Sequence, residues 1–148
     1  MGRNGILVTE WPELGIKIES EPLPFNRQAY DWFLDNCPVT GVQGHAVVSG
    51  KLIYIMNLKM PKFPQFKYTD LKMEDLSEED IGRVSIFITA GGVGSIMVKY
   101  DDITENMSYP TIAQVVESDI EKLKKAGEAI WNAIYKTKDI ITVNYTVK

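Results

Sequence analysis

Between Gly41 and Asn57 the chain reads GVQGHAVVSGKLIYIMN, with apolar positions alternating against small or polar ones on both sides of Gly50-Lys51. A period of two marks strands, and a glycine opening a two-residue turn suits a type II′ hairpin. With that turn, Val48 pairs with Ile53 and Ala46 with Ile55 on a wholly apolar core face. The other face then carries Gln43, His45 and Val47 opposite Tyr54 and Met56. A half-polar face behind a core face is what a ligand-binding sheet presents. A second hairpin has the same character. Arg83 to Ala90 and Gly94 to Tyr100 flank Gly91-Gly92-Val93, with Val84, Ile86, Ile88, Ile96 and Val98 directed to the core. Ser85, Phe87, Thr89, Met97 and Lys99 are left on the opposite face.

Around these hairpins the pattern predicts further strands and two helices. Ile6 to Glu10 and Leu14 to Glu19 alternate about Trp11-Pro12-Glu13 as an opening hairpin, with Ile16 and Ile18 facing one way. Asn26 stands where a helix N-cap belongs, before a helix to about Asn36 with Ala29, Trp32 and Phe33 on one face. Pro38 ends it. Leu58 to Ile81 is irregular, and a connection that long either carries short hidden elements or serves function. Ile112 to Val116 is a short strand. Ser118 and Glu121 then have capping-box spacing for a second helix, whose buried stripe is Ile120, Leu123, Gly127, Ile130 and Ile134. Ile140 to Val147, rich in β-branched residues, closes the chain as a strand. Strands dominate and no βαβ alternation occurs, so a mainly β fold follows: a closed antiparallel barrel with two packed helices, because closure removes exposed edges.

Composition narrows the function classes. The 148 residues fit one domain with an ordinary core. A net charge of -4 gives no basic field for phosphate backbones, so a nucleic-acid partner is not expected. The single cysteine, Cys37, excludes an internal disulfide and a cysteine-based zinc site, and suits a reducing compartment. No apolar run approaches the roughly 20 residues needed to span a bilayer. No signal-like N-terminus is present, and a cytoplasmic location without membrane attachment is expected.

The stretches NRQAYDWFLDNCPVTGVQGHAVVSGKLIYIMN and GRVSIFITAGGVGSIMVKY resemble the bacterial and archaeal cyclophilin-like proteins that lack isomerase motifs. The first domain of cucumopine synthase belongs to that group. The resemblance implies a cyclophilin-like barrel over residues 1–148. For an enzyme, it implies non-redox condensation through an imine, or ring closure, with no cofactor. True cyclophilins place a catalytic arginine on the outer barrel face. Arg3, Arg27 and Arg83 are the only arginines, none of them on the first hairpin, so proline isomerisation is disfavoured.

His45 is the sharpest candidate, because an imidazole titrates near neutrality and carries protons in condensation chemistry. Its bland alternative is a hydrogen-bonded structural histidine. Tyr54 is a candidate donor to a ligand carbonyl or carboxylate, or else a surface aromatic covering a neighbouring strand. Gln43, Met56, Phe87 and Met97 are candidate ligand-lining residues, with Glu105 and Tyr109 at the rim. Gly91-Gly92-Val93-Gly94 is no phosphate loop, since a strand follows it where a helix N-terminus would be needed. Asp101-Asp102-Ile103-Thr104-Glu105 reads as a solvated loop lacking the pattern of a calcium site, and no metal is expected. The leading expectation is a barrel that binds a small carboxylate-bearing metabolite on an outer face shared by the two hairpins, with homo-oligomerisation open. The alternative is a non-catalytic sensing or partner-binding domain using Phe63, Phe66 and Tyr68.

Overall fold

The structure, a computed structural model, describes residues 5–55, 58–88 and 93–148, without the side chain of Val93. Ten strands occur among them: β1 (Leu7–Trp11), β2 (Ile16–Pro22), β3 (Val39–His45), β4 (Gly50–Ile55), β5 (Leu58–Lys59), β6 (Met73–Asp75), β7 (Arg83–Ile88), β8 (Val93–Ile103), β9 (Ser108–Val115) and β10 (Thr142–Val147). Two α-helices accompany them, α1 (Arg27–Asn36) and α2 (Ile120–Asn132). Antiparallel pairing runs β2-β1-β10-β3-β4-β8-β7-β9, and β9 returns to β2 to close an eight-stranded barrel. β5 and β6 are short additions on β8 and β9. They are the hidden elements of the long connection. The mainly β barrel with two helices is therefore present.

Register and burial define the inside. Leu7, Trp11, Ile18, Ile53, Ile55, Val84, Ile86, Ile96, Val98, Tyr100, Val143 and Tyr145 are all buried, and they alternate along their strands with outward residues. α1 closes one end, where Phe33 meets Tyr145 edge-on at 5.2 Å. α2 closes the other and packs on β2, β3, β4 and β8. Its buried residues include Leu123, Gly127 and Ile130, three of the five positions in the expected stripe.

Several local expectations are corrected. Gly50-Lys51 is not a hairpin turn: β3 ends at His45, the chain bends through Val47–Ser49, and Gly50 already belongs to β4. His45 pairs with Ile53, Gly44 with Tyr54 and Gln43 with Ile55. Val48, expected inside, is 75% exposed. Gly50 is needed for another reason. Its φ is +110°, and a Cβ there would lie 2.7 Å from the Asp102 carbonyl oxygen of β8. Asn26 precedes α1 but caps nothing with its side chain. The carboxamide instead donates to the Lys72 and Thr111 carbonyls and accepts from the Lys72 amide, tying the long connection to β9. The Ser118/Glu121 capping box is also absent. A 3-10 turn over Glu117–Asp119 leads into α2, and Asp119 accepts from the Glu19 amide of β2 rather than capping the helix. Asp101, Asp102 and Ile103 are the end of β8, not a loop.

Candidate functional site

The corrected register separates residues expected on one face. Gln43 and His45 point inward with Ile55 and Ile53, while Tyr54 points outward with Met97. The shared outer hollow containing His45 does not exist. Gln43 lies inside and is fully engaged: its Oε1 accepts from Trp11 Nε1 at 2.9 Å and its Nε2 donates to the Tyr54 carbonyl at 2.9 Å. The Tyr54 ring lies over Gly44, whose missing side chain leaves the space. Outside the barrel, Met97 is buried with Ala46, Leu52 and Leu76, and Tyr54 and Tyr109 pack against that cluster. Phe87 is partly exposed between Tyr68 and Tyr109, edge-on to each. Met56, Thr89 and the turn glycines Gly91 and Gly92 lie outside the described residues.

His45 sits at the barrel end that α2 closes. It is buried, and both ring nitrogens are engaged. Nδ1 lies 2.7 Å from the Ala46 carbonyl oxygen, an acceptor only, so Nδ1 carries the proton and donates. Nε2, 2.7 Å from the Tyr100 hydroxyl, accepts from it. The Trp131 ring lies edge-on at 4.9 Å, and the hydroxyl of Tyr135 donates to the His45 carbonyl at 3.0 Å. Burial pushes the imidazole pKa below its ordinary value, helped by the Lys51 ammonium and opposed by the Ala46 hydrogen bond and Glu128. Burial likewise pushes the Tyr100 hydroxyl up to about 12, so it remains a phenol able to donate or accept. The site holds a neutral imidazole of one defined tautomer.

A pocket of about 160 Å³ opens beside it, lined by His45, Val47, Val48, Gly50, Lys51 and Trp131. Its outer lip is the bend after β3, where Val47 and Val48 are exposed. Glu105 holds that lip in place by accepting from Ser49 Oγ at 2.7 Å, and Thr104 Oγ1 donates to the Val48 carbonyl. Of the residues singled out in the sequence, the pocket thus includes His45 and is braced by Glu105. Lys51, Trp131, Tyr135 and Tyr100 were not singled out. Trp131 and Tyr135 stand four apart and one position beyond the stripe residues Ile130 and Ile134, which was the available signal. No group of three or more metal-ligating side chains occurs among the described residues.

His45 is the only histidine, and its titration has a readable consequence for stability. Its folded pKa is depressed from 6.5, so protonation favours the unfolded chain. The stability contributed by the neutral ring is complete above that value and is lost as pH falls through the folded pKa. Glu13, through its bonds from Thr142, and Asp75, through those from Ser77 and Met107, are held below the ordinary carboxylate range and lose their contribution only in more acidic solution. The urea midpoint is expected to fall between about pH 7.5 and pH 5. In His45→Gln that slope flattens, and an unchanged slope would contradict the assignment.

Fold and site together define a closed antiparallel barrel, fitting the cyclophilin-like type, with an aromatic and cationic pocket beneath its C-terminal helix. No family model matches the chain, and no curated protein matches it. Among solved structures it is similar to McbB in complex with tryptophan, at a TM-score of 0.77 and 26% identity over 95% of this chain. The chain spans 44% of the McbB chain, less than half its length. No helix among the described residues is long and apolar enough to cross a membrane.

Proposed function

We propose that this barrel binds a small metabolite bearing a carboxylate and an apolar or aromatic portion, in the pocket of His45, Lys51 and Trp131. The observation that carries the proposal is their convergence on one cavity: an ammonium for the carboxylate and an indole edge for the apolar part. Lys51 is 3.5 Å from Glu128, with both side chains about half exposed. Such a pair contributes about 0–1 kcal/mol, so Lys51 can turn to a ligand at little cost. The similarity to McbB supports the reading, since tryptophan combines a carboxylate with an indole. A partner surface of Phe63, Phe66 and Tyr68 has less support, because Phe66 packs edge-on against Trp32 and Tyr68 against Phe87.

The catalytic extension of this reading is non-redox imine condensation or ring closure, as the resemblance to cucumopine synthase implies. His45 would be its proton carrier, with Tyr100 handing on the proton because its hydroxyl holds the Nε2 lone pair. Tyr54, on the opposite face of β4, stands apart from that chemistry.

Calorimetry with tryptophan, phenylalanine and their 2-oxo acids tests the binding. Affinity is expected to fall by about tenfold or more in Lys51→Ala and in Trp131→Ala, a loss of roughly 1.4 kcal/mol each. Indole, without a carboxylate, is expected to be insensitive to Lys51. No binding by any of these acids at millimolar concentration would overturn the proposal.

A further inference from the structure

The pocket brings together two groups that oppose one another electrostatically. The Lys51 ammonium from β4 lines the same cavity as the His45 ring and lies 6.0 Å from the centroid of Tyr100, the hydroxyl of which reaches His45 Nε2. From α2, Glu128 is the acidic group in reach of Lys51 and His45. Trp131 and Tyr135 contribute rings and one hydroxyl, and Asp101 of β8 acts on Tyr100. In the free protein Lys51 discourages a charge on His45. An anion seated between them reverses this, because it neutralises the Lys51 field and adds an attraction of its own.

We propose that binding here is proton-coupled, a ligand carboxylate entering together with a proton on His45. The inference rests on the reading of this pocket as the ligand site. The geometry permits both states of the ring. Neutral His45 donates from Nδ1 to the Ala46 carbonyl and accepts at Nε2 from Tyr100. After protonation Nδ1 keeps its partner, and Nε2–H donates to the Tyr100 oxygen once that hydroxyl has rotated. No side chain has to leave the site. The proton comes from solvent, and no bond other than the N–H is made or broken.

Linkage then requires that the ligand bind the protonated protein more tightly. An opposite charge within about 4–6 Å favours the charged imidazole by a factor of ten or more. Affinity for tryptophan is expected to rise as the pH falls from about 8, by about tenfold in all once the pH is below the His45 midpoint of the free protein, its carboxylate staying ionised in mildly acidic solution. The unique histidine makes the test direct. Its ring carbon resonance, followed by NMR against pH, reports His45 alone.

Three arms decide the matter. In free Lys51→Gln protein the His45 midpoint is expected to rise, because the opposing charge has gone, and in free Glu128→Gln to fall; no movement in either overturns the coupling without any ligand. In wild-type protein, saturating tryptophan is expected to raise the midpoint, and the binding heat to depend on the buffer's ionisation enthalpy through proton uptake. Binding with an unmoved midpoint overturns this inference and leaves the ligand site standing. Failure of tryptophan, phenylalanine and their 2-oxo acids to bind at all overturns the site, and the inference with it.

Discussion

Replacing Gly127 by alanine is expected to destabilise the protein by about 2 kcal/mol, although alanine is the better helix former by about 1 kcal/mol. Gly127 lies in α2 directly above the Tyr100 ring. A Cβ there would stand 2.4 Å from Cγ and Cδ2 and 2.5 Å from Cδ1. Those atoms are at the root of the side chain, not its flexible tip. The clash is relieved only if α2 lifts or the Tyr100 ring turns away, and both moves reach His45. Lifting α2 opens the contacts of Trp131, and turning Tyr100 removes the hydroxyl from Nε2. The midpoint of thermal unfolding should fall by roughly 4–8 °C. The histidine resonance should move as well, since its hydrogen-bond partner has shifted. A Gly127→Ala protein at least as stable as wild type would show that helix and barrel are not packed as closely as described.

The glycine in that stripe shows what the chain pattern discloses and what it withholds. Spacings of three and four put Gly127 on the buried face, and alternation disclosed most strands, including Val84, Ile86, Ile96 and Val98 as interior positions. These are local periodicities, and burial enforces them. The register of the first hairpin was not legible in the same way. Gly50-Lys51 has the chemistry of a two-residue turn, but the positive φ of Gly50 serves the close approach of β8 rather than a reversal. The real connection, Ala46 to Ser49, carries no such signal. Side chains alternate, so sliding β3 against β4 by an odd number of residues reverses every assignment. His45 and Gln43 went inside and Tyr54 stayed out.

The site was half legible for a related reason. His45 stands out as the only histidine, whereas its companions matter through distance in space. Trp131 and Tyr135 lie far along the chain, and only the docking of α2 on β3 and β4 brings them to the ring. Lys51 stands where the sequence pattern predicts a two-residue turn, which hides the place of its side chain at the pocket. The capping expectations at Asn26 and Ser118 show the same limit, the second helix starting at Asp119 instead. Asn26 and Asp119 occupy helix starts, and both direct their side chains to a distant strand or connection whose backbone groups needed a partner.

Lys99 →Met is expected to cost about 3 kcal/mol, the second large effect, and it acts on the opposite face of the barrel. Lys99 points outward from β8 yet is only 5% exposed, because the segment after β6 folds over it. Its ammonium donates to the carbonyls of Leu76 at 2.8 Å and Glu79 at 2.7 Å, with Ser77 at 3.4 Å. Methionine keeps the apolar stem but leaves these carbonyls without their donor. Water can reach some of them only if the segment loosens, so part of the loss appears as local opening. Arg83 limits that opening, since it holds Glu79 at 2.6 Å and Glu74 at 3.1 Å. Urea unfolding should therefore show a lower midpoint, while amide exchange accelerates first at Leu76, whose N–H donates to the Met107 carbonyl. Tryptophan binding in the His45 pocket should be unchanged, because β8 separates the two faces. A Lys99→Met protein with wild-type stability and unchanged exchange at Leu76 would mean that these carbonyls are solvated and that the Arg83 ion pairs and the bonds of Asp75 and Leu76 with Met107 suffice to hold the segment.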